Sequence, residues 1–441
     1  MRKIIILSLI ASFALAENSV TNLTIDQINK IQTSSNFSNG AMVSQGQTDI
    51  KNNSNVAEVS ITQRVGTDAG NLIEDTNING TNSEVYQGLT SVDNSRLEHV
   101  ELTSQNKLKG VTVTGGKSTI RQANLIIGGE SNATGTAGGG GSGMGMGGAG
   151  ENLEITQTNT LQDTNIQNSV IDQGLTVINN GADVSNSFIL KQTNTINRAS
   201  ASGKNSVDTA KITQGITTIS GGITTNIIQT IENVIEDIEI DTSKVSQSTM
   251  TLTDSTVSNI NNDVGSDIDD KNRISFVTAT NDSNIIQSSI DINASTINGL
   301  YKSDRGGLQE NNWMHTVTVT NSDIKQSNFN ATNHSDVTNV TYRTHESGVD
   351  AINLIYNSSA INNSEFYQDV TEIDNGDLEN NTFTRANTMN HVIASNSKLK
   401  QFNIEVINST LNNSELTQQG LLYNVNTTGA NLSQGSTIIT D

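Results

Sequence analysis

Segments in which apolar and polar residues alternate run through most of the chain. Residues 315–320 read His-Thr-Val-Thr-Val-Thr, and residues 403–407 read Asn-Ile-Glu-Val-Ile. A period of two places the apolar side chains on one face of an extended strand, so such segments predict β-strands. The best candidate for a helix, 227–240, ends in the same alternation and is interpreted as a further β segment. The hydrophobic pattern therefore predicts an all-β protein.

One short unit recurs within these strands. It has the form Ser-x-Φ-x-Gln, in which Φ is apolar, and alternation puts the three shared side chains on one face. Asparagine precedes the serine in several copies, for example at Asn82 and Asn321, which favours a turn before the strand. The strict unit ends at Gln87, Gln122, Gln173, Gln247, Gln287, Gln326, Gln368, Gln401 and Gln418. Looser copies end at Gln27, Gln45, Gln63, Gln157, Gln192, Gln214 and Gln434.

The spacing of these glutamines predicts the architecture. Short spacings, such as 401 to 418, lie between 16 and 19 residues, and long spacings, such as 326 to 368, are about twice that. We interpret the short spacing as one coil of a parallel β-solenoid with about 16–20 residues per coil. This predicts on the order of 22 coils and a rod roughly 100 Å long.

Stacked coils place equivalent residues above one another, so glutamine amides can hydrogen-bond along the axis and form a ladder. The predicted ladder consists of the nine glutamines of the strict unit. The complete absence of proline fits this prediction, because each strand must donate backbone hydrogen bonds to its neighbours.

Two segments differ from the repeat. Arg2 and Lys3 precede an apolar run that ends in Ala14-Leu-Ala16, which predicts a cleaved signal peptide over 1–16 and an exported solenoid domain over 17–441. Residues 128–150 are rich in glycine and are predicted to form a flexible insertion at one corner. The repeat resumes after this insertion.

Composition excludes several classes of function. The chain has 24 Lys and Arg against 45 Asp and Glu, a net charge of −21, which would repel nucleic acids and anionic membranes. We therefore expect no nucleic-acid partner and no membrane insertion. The absence of cysteine excludes disulfides, thiolate zinc sites and iron–sulfur clusters. A hydrophobic content of 33% leaves intrinsic disorder as the alternative to the solenoid.

The repeat resembles that of a known family. The segments 413–420 (Asn-Ser-Glu-Leu-Thr-Gln-Gln-Gly), 82–88 (Asn-Ser-Glu-Val-Tyr-Gln-Gly) and 152–157 (Asn-Leu-Glu-Ile-Thr-Gln) are similar to curlin repeats. Those repeats belong to the secreted subunits of curli, the bacterial functional amyloid fibres of biofilm matrix. The resemblance covers a recurrent half-motif, in which serine and glutamine lie closer together than in curlin repeats. It implies an extracellular, self-associating structural protein.

Residues that could carry chemistry are few. The five histidines lack the short spacings of a metal site, and Asp269-Asp270 lacks the spacing of a calcium loop. His315 beside Trp313 is interpreted as an exposed corner. We therefore predict no catalytic, cofactor-binding or metal-binding residues, and no enzyme activity. The histidines are His99, His315, His334, His345 and His391.

These observations favour a secreted bacterial structural protein, located outside the cell or on its surface. It would form or join extracellular fibres of a biofilm matrix by self-association, with other matrix or surface proteins as further partners. One alternative is a surface adhesin that binds glycans or host surfaces. A more remote alternative is a polysaccharide-degrading β-helix enzyme.

Overall fold

The structure is a computed structural model of the 441-residue chain. Within it, helices are absent from the described residues, so none of these residues forms an apolar helix that could cross a membrane. The described residues are 11–13, 19–26, 29–31, 36–38, 41–45, 48–50, 55–65, 68–79, 82–93, 96–114, 116–128, 132–134, 153–179, 183–185, 188–203, 209–221, 223–247, 249–263, 272–287, 290–303, 312–326, 329–343, 353–368, 370–379, 382–401, 403–412, 415–434 and 436–440.

The described strands form three sheets. Sheet 1 has eleven strands, and each of them ends at a glutamine: Met42–Gln45, Glu84–Gln87, Thr119–Gln122, Val170–Gln173, Ala210–Gln214, Ser243–Gln247, Asn284–Gln287, Asp323–Gln326, Glu365–Gln368, Lys398–Gln401 and Asn431–Gln434. Sheet 2 has twelve strands: Ala11–Phe13, Thr48–Ile50, Thr90–Asp93, Leu125–Gly128, Thr176–Ile178, Thr217–Ser220, Met250–Thr253, Ile290–Asn293, Phe329–Thr332, Thr371–Asp374, Ile404–Ile407 and Thr437–Thr440.

Sheet 3 contains the longest strands, and several of them bend around a corner of the coil. Its 27 strands are Ser19–Asp26, Asn29–Ile31, Asn36–Ser38, Asn55–Val65, Asp68–Ala69, Asn71–Glu74, Asn77–Asn79, Arg96–Lys109, Thr112–Thr114, Asn132–Thr134, Leu153–Gln167, Asp183–Ser185, Phe188–Ser202, Ile223–Asp241, Thr256–Asp263, Asn272–Thr280, Thr296–Ser303, Asn312–Thr320, Asp336–Arg343, Asn353–Tyr356, Ser359–Ile361, Asp377–Glu379, Thr382–Asn390, Ile393–Ser395, Thr410–Asn412, Glu415–Tyr423 and Asn426–Thr428.

Strands of successive coils pair in parallel and in register throughout the described residues, apart from one short antiparallel pairing of Arg64 with Ala69. In sheet 1, for example, Gln87 pairs with Gln122 and Gln122 pairs with Gln173. The prediction of an all-β parallel solenoid is therefore confirmed.

The predicted coil length is wrong. Successive glutamines of sheet 1 are separated by 33 to 51 residues, so one coil is about twice as long as the sequence spacing suggested. Eleven stacked strands with a rise of about 4.8 Å per coil give a stack of roughly 50 Å, half the predicted length.

The error arises because two positions in one coil carry the same Φ-x-Gln pattern. Gln173 lies in sheet 1, whereas Gln157 and Gln192 pair with each other in sheet 3. The spacings 157 to 173 and 173 to 192 therefore run from one sheet of the coil to another. Both positions need an inward amide two residues after a core residue, so the sequence pattern is the same.

The core is a narrow set of stacked aliphatic columns between the sheets. The Φ residues of sheet 1, such as Ile120, Ile171 and Ile285, are fully buried. Ile73, Leu161 and further residues at the same register of sheet 3 are equally buried. A single coil exposes these side chains, and stacking covers them, so burial and parallel pairing depend on each other.

The turn predicted where asparagine precedes the serine of the unit is confirmed at four copies. The asparagine has a positive φ at Asn82 (60°), Asn321 (49°), Asn363 (60°) and Asn396 (47°), and the fifth copy, at Asn413, lies outside the described residues. Asparagine tolerates this left-handed conformation better than most residues. The chain therefore turns into sheet 1 at the same place in successive coils.

The structure describes parts of the predicted signal peptide and of the predicted glycine-rich insertion. Ala11–Phe13, within the predicted signal peptide, pairs with Thr48–Ile50, whereas residues 1–10 and 14–16 lie outside the described residues. In the predicted glycine-rich insertion, Gly128 ends a strand of sheet 2 and Asn132–Thr134 is a strand of sheet 3. Residues 129–131 and 135–150 lie outside the described residues.

Candidate functional site: amide ladders and an aromatic strip

The side chains of sheet 1 form a continuous buried glutamine ladder. Each Nε2 donates a hydrogen bond to the Oε1 of the glutamine one coil earlier, from Gln122 to Gln87 (2.7 Å) onward. Nine such bonds of 2.6–3.0 Å link ten coils. The residues joined are Gln87, Gln122, Gln173, Gln214, Gln247, Gln287, Gln326, Gln368, Gln401 and Gln434.

The second amide hydrogen of these glutamines ties sheet 1 to sheet 3. Gln173 donates to the carbonyl oxygen of Thr160 (3.3 Å), and Gln401 donates to that of Thr388 (3.0 Å). Unpaired polar groups are costly in an apolar interior, so each buried amide needs both bonds. The ladder therefore joins coils along the axis and sheets across the core.

Eight of the nine predicted ladder residues lie in this column, and Gln418 does not. Gln418 lies in the sheet 3 strand Glu415–Tyr423, where its backbone pairs in register with Arg385. The ladder position of that coil is occupied by Gln434, which donates to Gln401 (2.6 Å). Gln418 ends a strict Ser-x-Φ-x-Gln unit and Gln434 a looser one, so the serine is not what defines the column.

A second ladder, made of asparagines in sheet 3, was missed by the sequence analysis. Asn71 Nδ2 donates to Asn106 Oδ1 (2.8 Å), and the pattern continues through Asn159 and Asn194 to Asn233 with bonds of 2.7–3.1 Å. Backbone register extends this column of asparagines in both directions, to Asn29 and to Asn272, Asn312, Asn353 and Asn387.

The signal for the asparagine ladder is present in the sequence as a recurrent Asn-x-Φ. It reads Asn71-Leu-Ile73, Asn159-Thr-Leu161 and Asn353-Leu-Ile355, with Ile73, Leu161 and Ile355 all fully buried. Because asparagine is abundant throughout the chain, this shorter pattern is not distinctive without the register. The glutamines donate to the carbonyl of the residue that follows the ladder asparagine, so the two ladders are adjacent.

Glycines pack closely against these amides. A Cβ atom on Gly174 would lie 2.5 Å from Asn159 Nδ2 and 2.8 Å from Gln157 Oε1, and Gly215 is placed in the same way beside Asn194. Both glycines have positive φ angles, 65° and 61°. At these two Gln-Gly pairs the backbone therefore turns directly over the amide ladders.

Serines form shorter columns at the corners. The backbone N–H of Ser243 donates to Ser283 Oγ (3.2 Å), and that of Ser283 donates to Ser322 Oγ (3.1 Å). A separate corner repeats this arrangement from Ser255 to Ser295 and from Ser295 to Ser335. These buried hydroxyls satisfy backbone donors that the turn removes from the sheets.

On the outside, a corner of sheet 3 carries charged pairs in the earlier coils. Lys109 Nζ lies 3.0 Å from Glu74 Oε1, and the Arg198 guanidinium binds both oxygens of Asp163. The hydrogen bond from Arg198 holds the pKa of Asp163 below its usual range. These side chains are largely solvent-exposed, so their mutual attraction is weakened by water and salt.

In the later coils the same corner carries rings. Phe276, His315, Tyr356, His391 and Tyr423, here called the aromatic strip, follow one another from coil to coil with centroid separations of 5.1–6.0 Å. His315 and Tyr356 are stacked, and the other neighbours meet edge to face. Phe276 is 48% exposed and Tyr423 is 56% exposed. The strip therefore forms a continuous ring surface over five coils.

A polar cluster lies on the outer face of sheet 1. The ring of Tyr367 lies between Lys325 Nζ (5.7 Å) and Lys400 Nζ (5.2 Å), an arrangement that favours cation–π attraction. Burial, together with a hydrogen bond to Glu365, raises the pKa of Tyr367. Burial opposes ionisation of Glu365, but hydrogen bonds from Lys398 and Tyr367 outweigh it and lower its pKa.

The histidines do not form a metal-binding cluster in the part of the chain that the structure describes, where no group of three or more His, Asp or Glu side chains could hold an ion. His315 and His391 belong instead to the aromatic strip. His391 Nδ1 lies 2.6 Å from Asn390 Oδ1, and Asn424 Nδ2 donates to His391 Nε2 (3.2 Å). His345 lies outside the described residues.

Comparison of the chain with protein-family models, curated proteins and solved structures finds no match.

Proposed function

We propose that this chain is an exported, non-catalytic structural protein that forms or joins extracellular fibres by stacking of its coils. The glutamine and asparagine ladders support this, because they repeat the same hydrogen bond at each step along the axis. The curlin-like half-motif supports the same role in a bacterial biofilm matrix. Other matrix or surface proteins are further partners in this proposal.

The observation that carries the proposal is the apolar face of the last described coil. Leu422 lies in register with Met389, which is 0% exposed, yet Leu422 itself is 46% exposed. Strands of all three sheets also reach this face with a parallel edge. An open edge with core residues beside it favours addition of another β-coil, so we propose that a second copy covers this face.

The test is fibre growth by the purified chain, followed by electron microscopy and thioflavin fluorescence over days. Leu422→Lys places a charge where the incoming coil would bury it, so growth should fall at least tenfold. Leu421→Lys is the matched control, since Leu421 is 59% exposed on the same strand and alternation points it away from the core. A wild-type chain that stays strictly monomeric, or equal growth of both variants, contradicts the proposal.

A further inference from the structure

The first ring of the aromatic strip has an unfavourable backbone conformation. Phe276 has φ = 52°, in the left-handed region that bulky residues rarely adopt. Other coils place Asp163 or Asn357 at this corner, which tolerate the conformation better, although Arg198 and Thr316 adopt it as well. This backbone strain is not offset by burial of the ring, which stays exposed, and unrelieved strain of this kind is typical of functional sites.

Asp237 and Glu239 lie one coil before Phe276 and Thr278, but within the five coils of the strip few charged residues lie beside the rings, although the chain carries a net charge of −21. The next outward column of the same five coils contains only uncharged residues, which register joins in the order Thr278, Thr318, Ser359, Ile393 and Asn426. On the other side Arg273 is the exception, and it pairs with Glu236 at 3.3 Å. An acidic polymer would find no cationic row here and would be repelled by the chain as a whole.

Hydrogen-bonding groups alternate with the rings. Thr316, Asn357 and Asn424 share the corner with Phe276 and His391, and Asn390 lies between Tyr356 and Tyr423 in the neighbouring column. Aromatic rings with a few amide and hydroxyl groups beside them form the usual composition of a site for an uncharged polar ligand. The repeated ring spacing further indicates a ligand that is itself a linear repeat.

Exposed apolar side chains flank the rings in the last coils of the strip. Ile393 is 55% exposed in the column on one side, and Leu421 is 59% exposed in the column on the other side. A second copy of the chain would bring its own net charge of −21 to this face and would be repelled, whereas a neutral polymer would not. The charge therefore favours an uncharged polymer as the occupant of the strip.

From these observations we propose that the aromatic strip of Phe276, His315, Tyr356, His391 and Tyr423 binds a neutral, unbranched polysaccharide along the solenoid axis. Sugar rings pack their C–H faces against the aromatic side chains, while their hydroxyls exchange hydrogen bonds with Asn357, Asn424 and Thr316. This activity goes beyond fibre formation, and it gives the rod a site for attachment to an uncharged matrix polymer.

The experiment is native electrophoresis of the purified chain through gels that contain hydroxyethylcellulose, laminarin or dextran, with alginate as the acidic comparison. We expect retardation by at least one neutral polymer and none by alginate. The double variant Tyr356→Ser, His391→Ser should weaken this retardation at least tenfold. Tyr86→Ser is the matched control, because Tyr86 lies on the outer face of sheet 1, away from the strip.

Sedimentation velocity and circular dichroism accompany these measurements. The double variant should keep the β-sheet spectrum and the sedimentation coefficient of the wild type. The proposal is overturned if no neutral polymer retards the wild type, or if the double variant binds as strongly as Tyr86→Ser. It is also overturned if the variant loses a dimer that the wild type forms, since the strip would then bind a second copy.

Discussion

The same corner of sheet 3 has different chemistry in the two halves of the solenoid. In the earlier coils it carries ion pairs, Glu74 with Lys109 and Asp163 with Arg198. In the later coils it carries the aromatic strip, which begins at Phe276. The backbone is alike in both, with φ near 50° at Asp163 (50°), Arg198 (49°) and Phe276 (52°).

The interior does not show this division. The glutamine ladder passes from Gln87 to Gln434 with hydrogen bonds of similar length under both halves of the corner. Stacking therefore constrains the inward positions equally in all coils, whereas the outward positions vary with the backbone unchanged. Because the fold does not require the rings, their presence in one half points to a role outside folding.

The largest expected effect tests whether the interior is uniform. Gln173→Leu, beneath the charged half, and Gln326→Leu, beneath the aromatic half, each leave neighbouring amides without a partner. Each should lower the free energy of unfolding by about 3 kcal/mol, from lost hydrogen bonds and unsatisfied buried groups. Urea unfolding measures this loss, and Gln167→Leu, at an exposed position, should change stability by no more than about 0.5 kcal/mol. A clear difference between the two ladder variants would show that the halves differ inside as well.

The sequence predicted some residues of the glutamine ladder and not others. Alternation and the Ser-x-Φ-x-Gln unit located the sheet 1 strands and eight of the ladder glutamines, because inward side chains two residues apart leave a direct pattern. Gln214 and Gln434 lacked the serine, and Gln418 had it but lies in sheet 3. The pattern thus records that an amide faces inward, and it does not record which sheet the amide belongs to.

The coil length and the aromatic strip at the outer corner could not be predicted from the sequence, and the reasons differ. Two similar inward positions per coil halve the apparent period, as Gln157 and Gln173 illustrate. The members of the aromatic strip are separated by whole coils of unequal length, so no local spacing brings His315 near Tyr356 or His391. Only the register of stacked coils places these rings together.

A second prediction, with a smaller expected loss of stability, concerns the glycines of the earlier coils. Gln-Gly occurs at Gly174 and Gly215, whereas serine follows Gln247, Gln287 and Gln326. Gly174→Ala adds a Cβ 2.5 Å from Asn159 Nδ2 at a positive φ, so it should lower the free energy of unfolding by about 2 kcal/mol from strain and overpacking together.

Gly116→Ala is the control for this substitution. Gly116 also has a positive φ (84°), but a Cβ there would lie 3.8 Å from its nearest neighbour, the Asn168 Cβ. It should therefore cost only about 1 kcal/mol, the conformational part of the effect. If thermal or urea unfolding shows equal losses of stability for the two variants, the amide side chains must move to accommodate the added methyl group.

A third prediction concerns the first ring of the strip. Phe276→Asn should relieve about 1 kcal/mol of left-handed strain and lose about 0.5 kcal/mol of the edge-to-face contact with His315. The variant should therefore be slightly more stable in urea unfolding, by about 0.5 kcal/mol, yet bind neutral polysaccharide several-fold more weakly. Phe276→Tyr should keep both properties of the wild type. A loss of stability in Phe276→Asn would mean that the ring is retained for packing.

The smallest expected effect lies in the charged half. The pKa of Asp163 is held below its usual 3.8 by the hydrogen bond from Arg198, so the attraction is present above that pH. It is lost as the pH falls through the lowered pKa of the folded state, because protonated Asp163 no longer attracts the guanidinium. Arg198→Gln should therefore lower the melting temperature slightly at pH 7 and low salt, and by progressively less as the pH falls through the lowered pKa of Asp163.

A double-mutant cycle with Asp163→Asn isolates this pair from the general effect of changing net charge. The coupling between the two substitutions should be small at pH 7, smaller still in 1 M salt, and should decrease as the pH falls through the lowered pKa of Asp163. Coupling that does not decrease in acid would require a contact other than the ion pair. In that case the earlier coils would hold their corner by specific packing, and the charged half would be as specialised as the aromatic half.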